Sequence, residues 1–326
     1  MTVVADWLFH LADPLGPKKP QPRRRLSAAQ ARELFVQAEC HGVLAAALRH
    51  FEFPRDSAEF DAIRDAAFRS HHQAVGFSLM LRQHGNALMQ AVKAQELPAI
   101  VIKGPVFARR LYPDPALRRF TDIDILAAPE AVRRLAELLS AMNFELADQA
   151  AGPDPQEWKW LHREHRDVMI EVQCNLIHAA ALRTALSLRY VDLVPDNDRS
   201  EAECPAALLL VATVHAAGHH FERLVQVVDI CQAARNLRTA KDQQRLEELI
   251  LQTQSRMAAV TGLTIAGRLF EEPDCLNIAK AIGPVRFAAI GTALIDRSVV
   301  GSTMTRNRYL HSWRRAAYRE LLKRGI

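Results

Sequence analysis

Two aspartates two positions apart open the case for chemistry in this chain. Asp122 and Asp124 stand in FTDIDILAAPE, interleaved with Ile123 and Ile125. On a strand that spacing sends both carboxylates to one face and the isoleucines to the other. The pattern returns in VMIEVQ, where Glu171 lies between Ile170 and Val172. Three carboxylates on neighbouring strands repel one another unless protons or cations intervene. The simplest bridge is Mg²⁺, with Mn²⁺ as a substitute, because hard cations take oxygen ligands and share them with phosphates. Paired divalent ions can hold a nucleoside triphosphate, lower the pKa of an attacking hydroxyl and stabilise a leaving pyrophosphate. Asp122 and Asp124 are then the main ligands, and Glu171 completes the set and helps accept the nucleophile's proton.

The residues upstream suit an anion. In PAIVIKGPVFARRLY, a short strand ends at Lys103-Gly104 and a helix starts on Pro105. A glycine at such a turn lets backbone approach a phosphate, and Lys103 adds a point charge. The G-x-x-x-x-G-K-[ST] loop is absent. Arg109, Arg110, Arg118 and Arg119 flank this pocket in sequence. Of these, Arg118 is the preferred phosphate partner and Arg110 the next, since a guanidinium makes two directed hydrogen bonds.

Around these residues the elements read as follows. Ser27 caps a helix that runs on to His50, and a second helical stretch covers Ser57–Ala94 with a break expected near Gly76 or Gly85. Strands are expected at PAIVIKG, TDIDILAA, Phe144–Ala147 and VMIEVQCNLI, a helix from Pro129 to Met142, and a turn at Gly152–Gln156. Helical patterns then return over Ala206–Arg238, Asp242–Leu269 and Val285–Ile295, and the tail reads as a basic amphipathic helix. The expected fold is α+β: a small mixed sheet within residues 96–180, between an N-terminal arm and helical region (1–95) and a C-terminal helical region (181–326).

The 326 residues are 49% hydrophobic and carry a formal net charge of +5, which permits an anionic partner without requiring one. Five scattered cysteines argue against a disulfide scaffold and suit a reducing cytoplasm. No apolar run reaches transmembrane length, and the N-terminus lacks the basic start of a signal peptide. The basic arm GPKKPQPRRR and the basic C-terminal helix leave contact with nucleic acid open. His215 and His219 lie four apart with Asp229 downstream, but HAAGH is not the H-E-x-x-H zinc motif; they read as polar contacts to the core or pocket, or else as satisfied interface side chains. Trp158 and Trp160 read as local packing before a nucleobase platform.

The text VIKGPVFARRLYPDPALRRFTDIDILAAPEAVRRLAELLSAMNF, then VMIEVQ, then LLLVATVHAAGHHFERLVQVVDI resembles the uncharacterised nucleotidyltransferase family of the DNA polymerase beta-like nucleotidyltransferase superfamily. The resemblance implies a nucleotidyltransferase core in which Gly104 belongs to the phosphate turn. Asp122, Asp124 and Glu171 carry the metal, and Lys103 and Arg118 lie in the pocket. It implies transfer of a nucleoside monophosphate from an NTP, with ATP expected, to a small-molecule, peptide, protein or RNA acceptor. The chain departs from that pattern at Pro105, where the superfamily often has Ser, and at Gln173, where the family commonly has His. Those departures sustain one alternative, a catalytically degenerate nucleotide-binding or regulatory protein, and the basic arm and C-terminal helix sustain another, a nucleic-acid-binding adaptor.

Overall fold

The structure is a computed structural model that describes residues 2–18, 20–149, 157–302 and 312–324. The expected turn at 152–156 and the start of the C-terminal helix lie outside the described residues.

Helix α1 (Val3–Leu11) is capped by the Thr2 hydroxyl, and α2 (Ala28–Cys40) by a capping box of Ser27 with Gln30. The helix expected from Ser27 to His50 is in fact two. It breaks at Gly42 (φ +74°), and α3 resumes at Leu44–His50. A Cβ on Gly42 would lie 3.0 Å from Val225, so the break sits where a distant segment presses in. The reverse correction applies to α4 (Ala58–Ala94), which runs unbroken for 37 residues past Gly76 and Gly85. Leu81, Gly85, Leu88 and Val92 form its buried stripe, at i, i+4, i+7 and i+11. That packing outweighs the roughly 1 kcal/mol that each interior glycine costs.

Among the described residues five strands follow: β1 (Ala99–Ile102), β2 (Ile123–Ala127), β3 (Phe144–Gln149), β4 (Glu157–His162) and β5 (Met169–Gln173). Between them lie α5 (Gly104–Arg110) and α6 (Val132–Ala141). The sheet order is β1-β2-β5-β4-β3, with β2 and β5 parallel and every other pair antiparallel. A mixed sheet flanked by helices on both sides bears out the expected fold class. Strand β4 was not expected.

Register decides what the sheet can do. Asp124 pairs Glu171 and Glu171 pairs Lys159, which makes one polar row across β2, β5 and β4, bordered on β1 by the apolar Ile102 opposite Asp124. Alternation puts Ile123, Ile125, Ile170, Val172 and Trp160 on the opposite face, buried with Leu81 and Leu88 of α4 and Leu135 and Leu139 of α6. Trp160 of β4 is therefore core, and Trp158 packs against it partly buried.

The polar face looks toward the C-terminal helices. After the short α7 (Ala180–Arg183) and α8 (Tyr190–Leu193) come α9 (Pro205–Gly218), α10 (Leu224–Asn236), α11 (Ala240–Thr253) and α12 (Arg256–Phe270). The remaining helices are α13 (Pro273–Ile282), α14 (Ala288–Leu294), α15 (Arg297–Val300) and α16 (Ser312–Arg324). Helix α9 is apolar nearly all round, and eleven of its fourteen residues are buried, so it forms the centre of this layer. Its cluster reaches the N-terminal helices and the side chains of Ile100, Ile102 and Phe107. The expected long helices over 206–238 and 242–269 are each two packed helices, broken at 219–223 and 254–255.

Candidate active site

The turn from β1 into α5 carries the first functional side chain. Lys103 adopts φ 54°, ψ −135°, a conformation that non-glycine residues rarely hold. A Cβ on Gly104 would sit 3.3 Å from Phe120 Cβ and 3.5 Å from the Asp122 carbonyl oxygen. Glycine is thus what lets this turn lie against the segment that leads into β2.

That approach puts the Lys103 ammonium 2.7 Å from Asp124 Oδ1, with both residues 5% exposed. The same oxygen accepts a hydrogen bond from Gln173 Nε2 at 3.1 Å. Asp124 is therefore buried and already matched by a cation and an amide. Gln173 is fully buried, and its Oε1 has no hydrogen-bond partner among the described residues. Asp122 differs. It makes no side-chain hydrogen bond or salt bridge among the described residues. Burial, then the charge of Asp124, pushes its carboxyl up to about 7, against the opposing pull of Lys103. Burial and Asp124 also raise Glu171, opposed by Lys159, whose Nζ lies 3.4 Å away.

Arg118 is buried against α10. Its Nε and Nη2 donate to the two oxygens of Asp229 at 2.9 Å each, and its Nη1 donates to the Arg119 carbonyl oxygen. Tyr112 Oη donates to Asp229 as well, at 2.7 Å. Asp229 thus fixes the guanidinium in the pocket wall, and much of the fork is used there.

These groups face one cavity of about 560 Å³, whose sheet side holds Lys103, Gly104, Arg118, Asp122, Asp124 and Glu171. Six of the seven residues singled out from sequence meet there. Arg110 does not. It is exposed at the solvent-facing end of α5, where its Nε lies 2.6 Å from Glu203 and the neighbouring Arg109 holds the other oxygen at 2.7 Å. Val106 and Phe107 take the inward face of that short helix.

Sequence reasoning missed Glu157, Lys159 and His178, all in the cavity wall. Lys159 bridges Glu157 and Glu171, and a hydrogen bond from His178 holds Glu157 at about 2. The signal for the first two was legible: Glu157-Trp-Lys159-Trp alternates polar and apolar, as β4 requires. On the helical side the cavity is lined by His215 and His219, their rings 4.6 Å apart, and by Arg223.

By donor type, three carboxylates on one cavity wall, two of them with raised pKa values, suit a hard divalent cation. As the chain is arranged, Lys103 supplies the positive charge at Asp124. Among the described residues no group of three or more His, Cys, Asp or Glu side chains is set as a metal site.

A small mixed sheet bearing acids and a lysine toward a helix-roofed cavity defines the class: a mixed α/β protein whose candidate site is built by a central sheet and flanking helices. Within that class the chain belongs to the uncharacterised nucleotidyltransferase family, which matches residues 27–271 and so takes in every wall of the cavity described above. No curated protein matches the chain. No helix among the described residues is long and apolar enough to cross a membrane.

Proposed function

We propose that this protein transfers a nucleoside monophosphate from an NTP, with ATP expected, to an acceptor hydroxyl or phosphate and releases pyrophosphate. The observation that carries this reading is the pairing of Asp124 with Glu171 on adjacent parallel strands, facing the cavity that Asp122 and Lys103 also line. Membership of a nucleotidyltransferase family supports it.

Asp122, Asp124 and Glu171 would hold Mg²⁺, with Mn²⁺ able to replace it. When bound, the ion would acidify the attacking hydroxyl and neutralise charge on the departing pyrophosphate. Lys103, released from Asp124 by that exchange of cations, would turn to the phosphates, with Gly104 giving the backbone room to approach. Arg118, anchored by Asp229, would place its remaining N–H groups at the wall. Glu171, whose affinity for protons is raised, would take the proton of the acceptor as its oxygen bonds to the α-phosphorus and the bond to the pyrophosphate oxygen breaks. The acceptor belongs to the small-molecule, peptide, protein or RNA classes. Five free cysteines suit a cytoplasmic setting.

The test incubates wild type and an Asp122→Asn/Asp124→Asn form with each α-labelled NTP, Mg²⁺ or Mn²⁺, and cell extract. Label on one class of molecule, seen only with the intact acids, is expected. Absence of both NTP binding and label transfer would overturn the proposal.

A second reading, a nucleotide-binding regulator without turnover, is favoured by specific features. Pro105 offers no N–H to a phosphate, and Gln173 donates to a carboxylate that catalysis needs free. Mg²⁺-dependent nucleotide binding without pyrophosphate release would select it.

A further inference from the structure

The helical wall of the cavity contains a polar group without an assigned task. His215 lies in the last turn of α9 and lines the cavity. Neither ring nitrogen makes a hydrogen bond to any described residue. The two nitrogens are not equivalent. Nδ1 is sealed from solvent without a partner, whereas Nε2 is not among the sealed atoms. A neutral imidazole has one N–H and one lone pair. Burying an N–H with no acceptor is the rarer and costlier choice, so the proton belongs on Nε2. The ring is held neutral. The carbonyl end of a helix favours an imidazolium, but burial and the nearby charge of Lys103 oppose it and keep the pKa well below the ordinary value. His219, packed edge-on at 4.6 Å, fixes the ring plane.

We infer that His215 is a phosphate-binding residue that presents its Nε2–H to the phosphate oxygens of the nucleotide, together with Lys103. The inference rests on the reading of this cavity as a nucleotide site. The chemistry favours such a donor. The sheet side already carries Asp122, Asp124, Glu157 and Glu171, which repel a triphosphate. A fixed neutral N–H on the opposite wall binds an oxyanion without adding a charge that Asp124 could capture, as it captures Lys103. Histidine at this position is thus a directed donor, distinct from a general base and from a metal ligand.

The test uses the full chain and inorganic tripolyphosphate with Mg²⁺ as probe, so that turnover is not required. In protein labelled with ¹⁵N at histidine, the His215 signals are assigned by their loss in His215→Gln. The long-range proton–nitrogen spectrum is expected to show the Nε2–H form at pH 7, with Nε2 shifting as tripolyphosphate is added. His215→Ala is expected to weaken tripolyphosphate about tenfold. His215→Gln, whose amide nitrogen reaches the place of Nε2, should restore most of the affinity, and His215→Asn should not. An Nδ1–H form in the wild type, no tripolyphosphate binding by the wild type, or equal affinity in His215→Ala would each overturn the inference. If a variant fails to fold, the His215 signals are assigned through the backbone resonances of α9 in the wild type, whose spectrum then decides. Tripolyphosphate binding through His215 in a protein that transfers no label would overturn the transfer reading alone. Label transfer with unaltered binding in His215→Ala would overturn this inference alone.

Discussion

At the scale of single residues, Lys103 and Asp124 set the terms for everything else in the pocket. Each is buried, and each neutralises the other. Removing one partner leaves a buried charge unmatched. Lys103→Met is therefore expected to destabilise the protein by about 3 kcal/mol, read from urea unfolding without divalent ions. Asp122 gives a pH dependence of defined sign. Its carboxyl titrates at about 7 when folded, against an ordinary value of 3.8. Between those values the folded state holds a proton that the unfolded chain has lost. The contribution is complete below pH 4 and is lost as pH rises through 7. Asp122→Asn should remove this loss and stabilise the metal-free protein at pH 8 by on the order of 2 kcal/mol, with little gain at pH 4, as thermal melts in chelator would show. The acids, Lys103 and Gly104 were legible in sequence because spacing alone put them on a strand face and a turn. The tie from Arg118 to Asp229 spans 111 positions, and no local pattern announces it. Arg110 misled because nearness in sequence to the turn does not say that both adjacent arginines lie on the outer face of α5, where they share Glu203.

At the scale of elements, the glycines mark the limit of what one chain can tell. Gly42 ends a helix, and Gly76 and Gly85 do not, although all three stand in helical text. What separates them is tertiary: Val225 presses on Gly42, while nothing lies within 4 Å of a Cβ placed on Gly76. Gly76→Ala should accordingly stabilise the protein by about 0.5–1 kcal/mol. Gly42→Ala, which would force both a left-handed alanine and a clash, should cost more than 1 kcal/mol. Equilibrium unfolding of the two variants checks both signs. Strand β4 escaped notice for a related reason. Its two tryptophans drew attention to packing, and Glu157 and Lys159, each just before one of them, carried the alternation that makes a strand.

At the scale of the whole molecule, the pocket is a joint product of distant parts. The sheet supplies carboxylates, α9 and its cap supply imidazoles, and α10 supplies the anchor for Arg118. Asp229→Ala should therefore cost about 3–5 kcal/mol by leaving a buried guanidinium unmatched. Tyr112→Phe, which removes one hydrogen bond from the same cluster, should cost about 1 kcal/mol. Chemical denaturation of the two variants measures both, and equal losses would argue that the cluster acts through packing and not through charge.

The parallel alignment of β2 with β5 has a consequence for the order of assembly. Two parallel neighbours cannot be joined by a hairpin, so the strand that brings Glu171 to Asp124 enters only after β3 and β4 have been made. A ribosome must then travel on to position 229 before the guanidinium of Arg118 meets its counter-ion. Until that point the guanidinium lacks the partner that holds it in the finished fold.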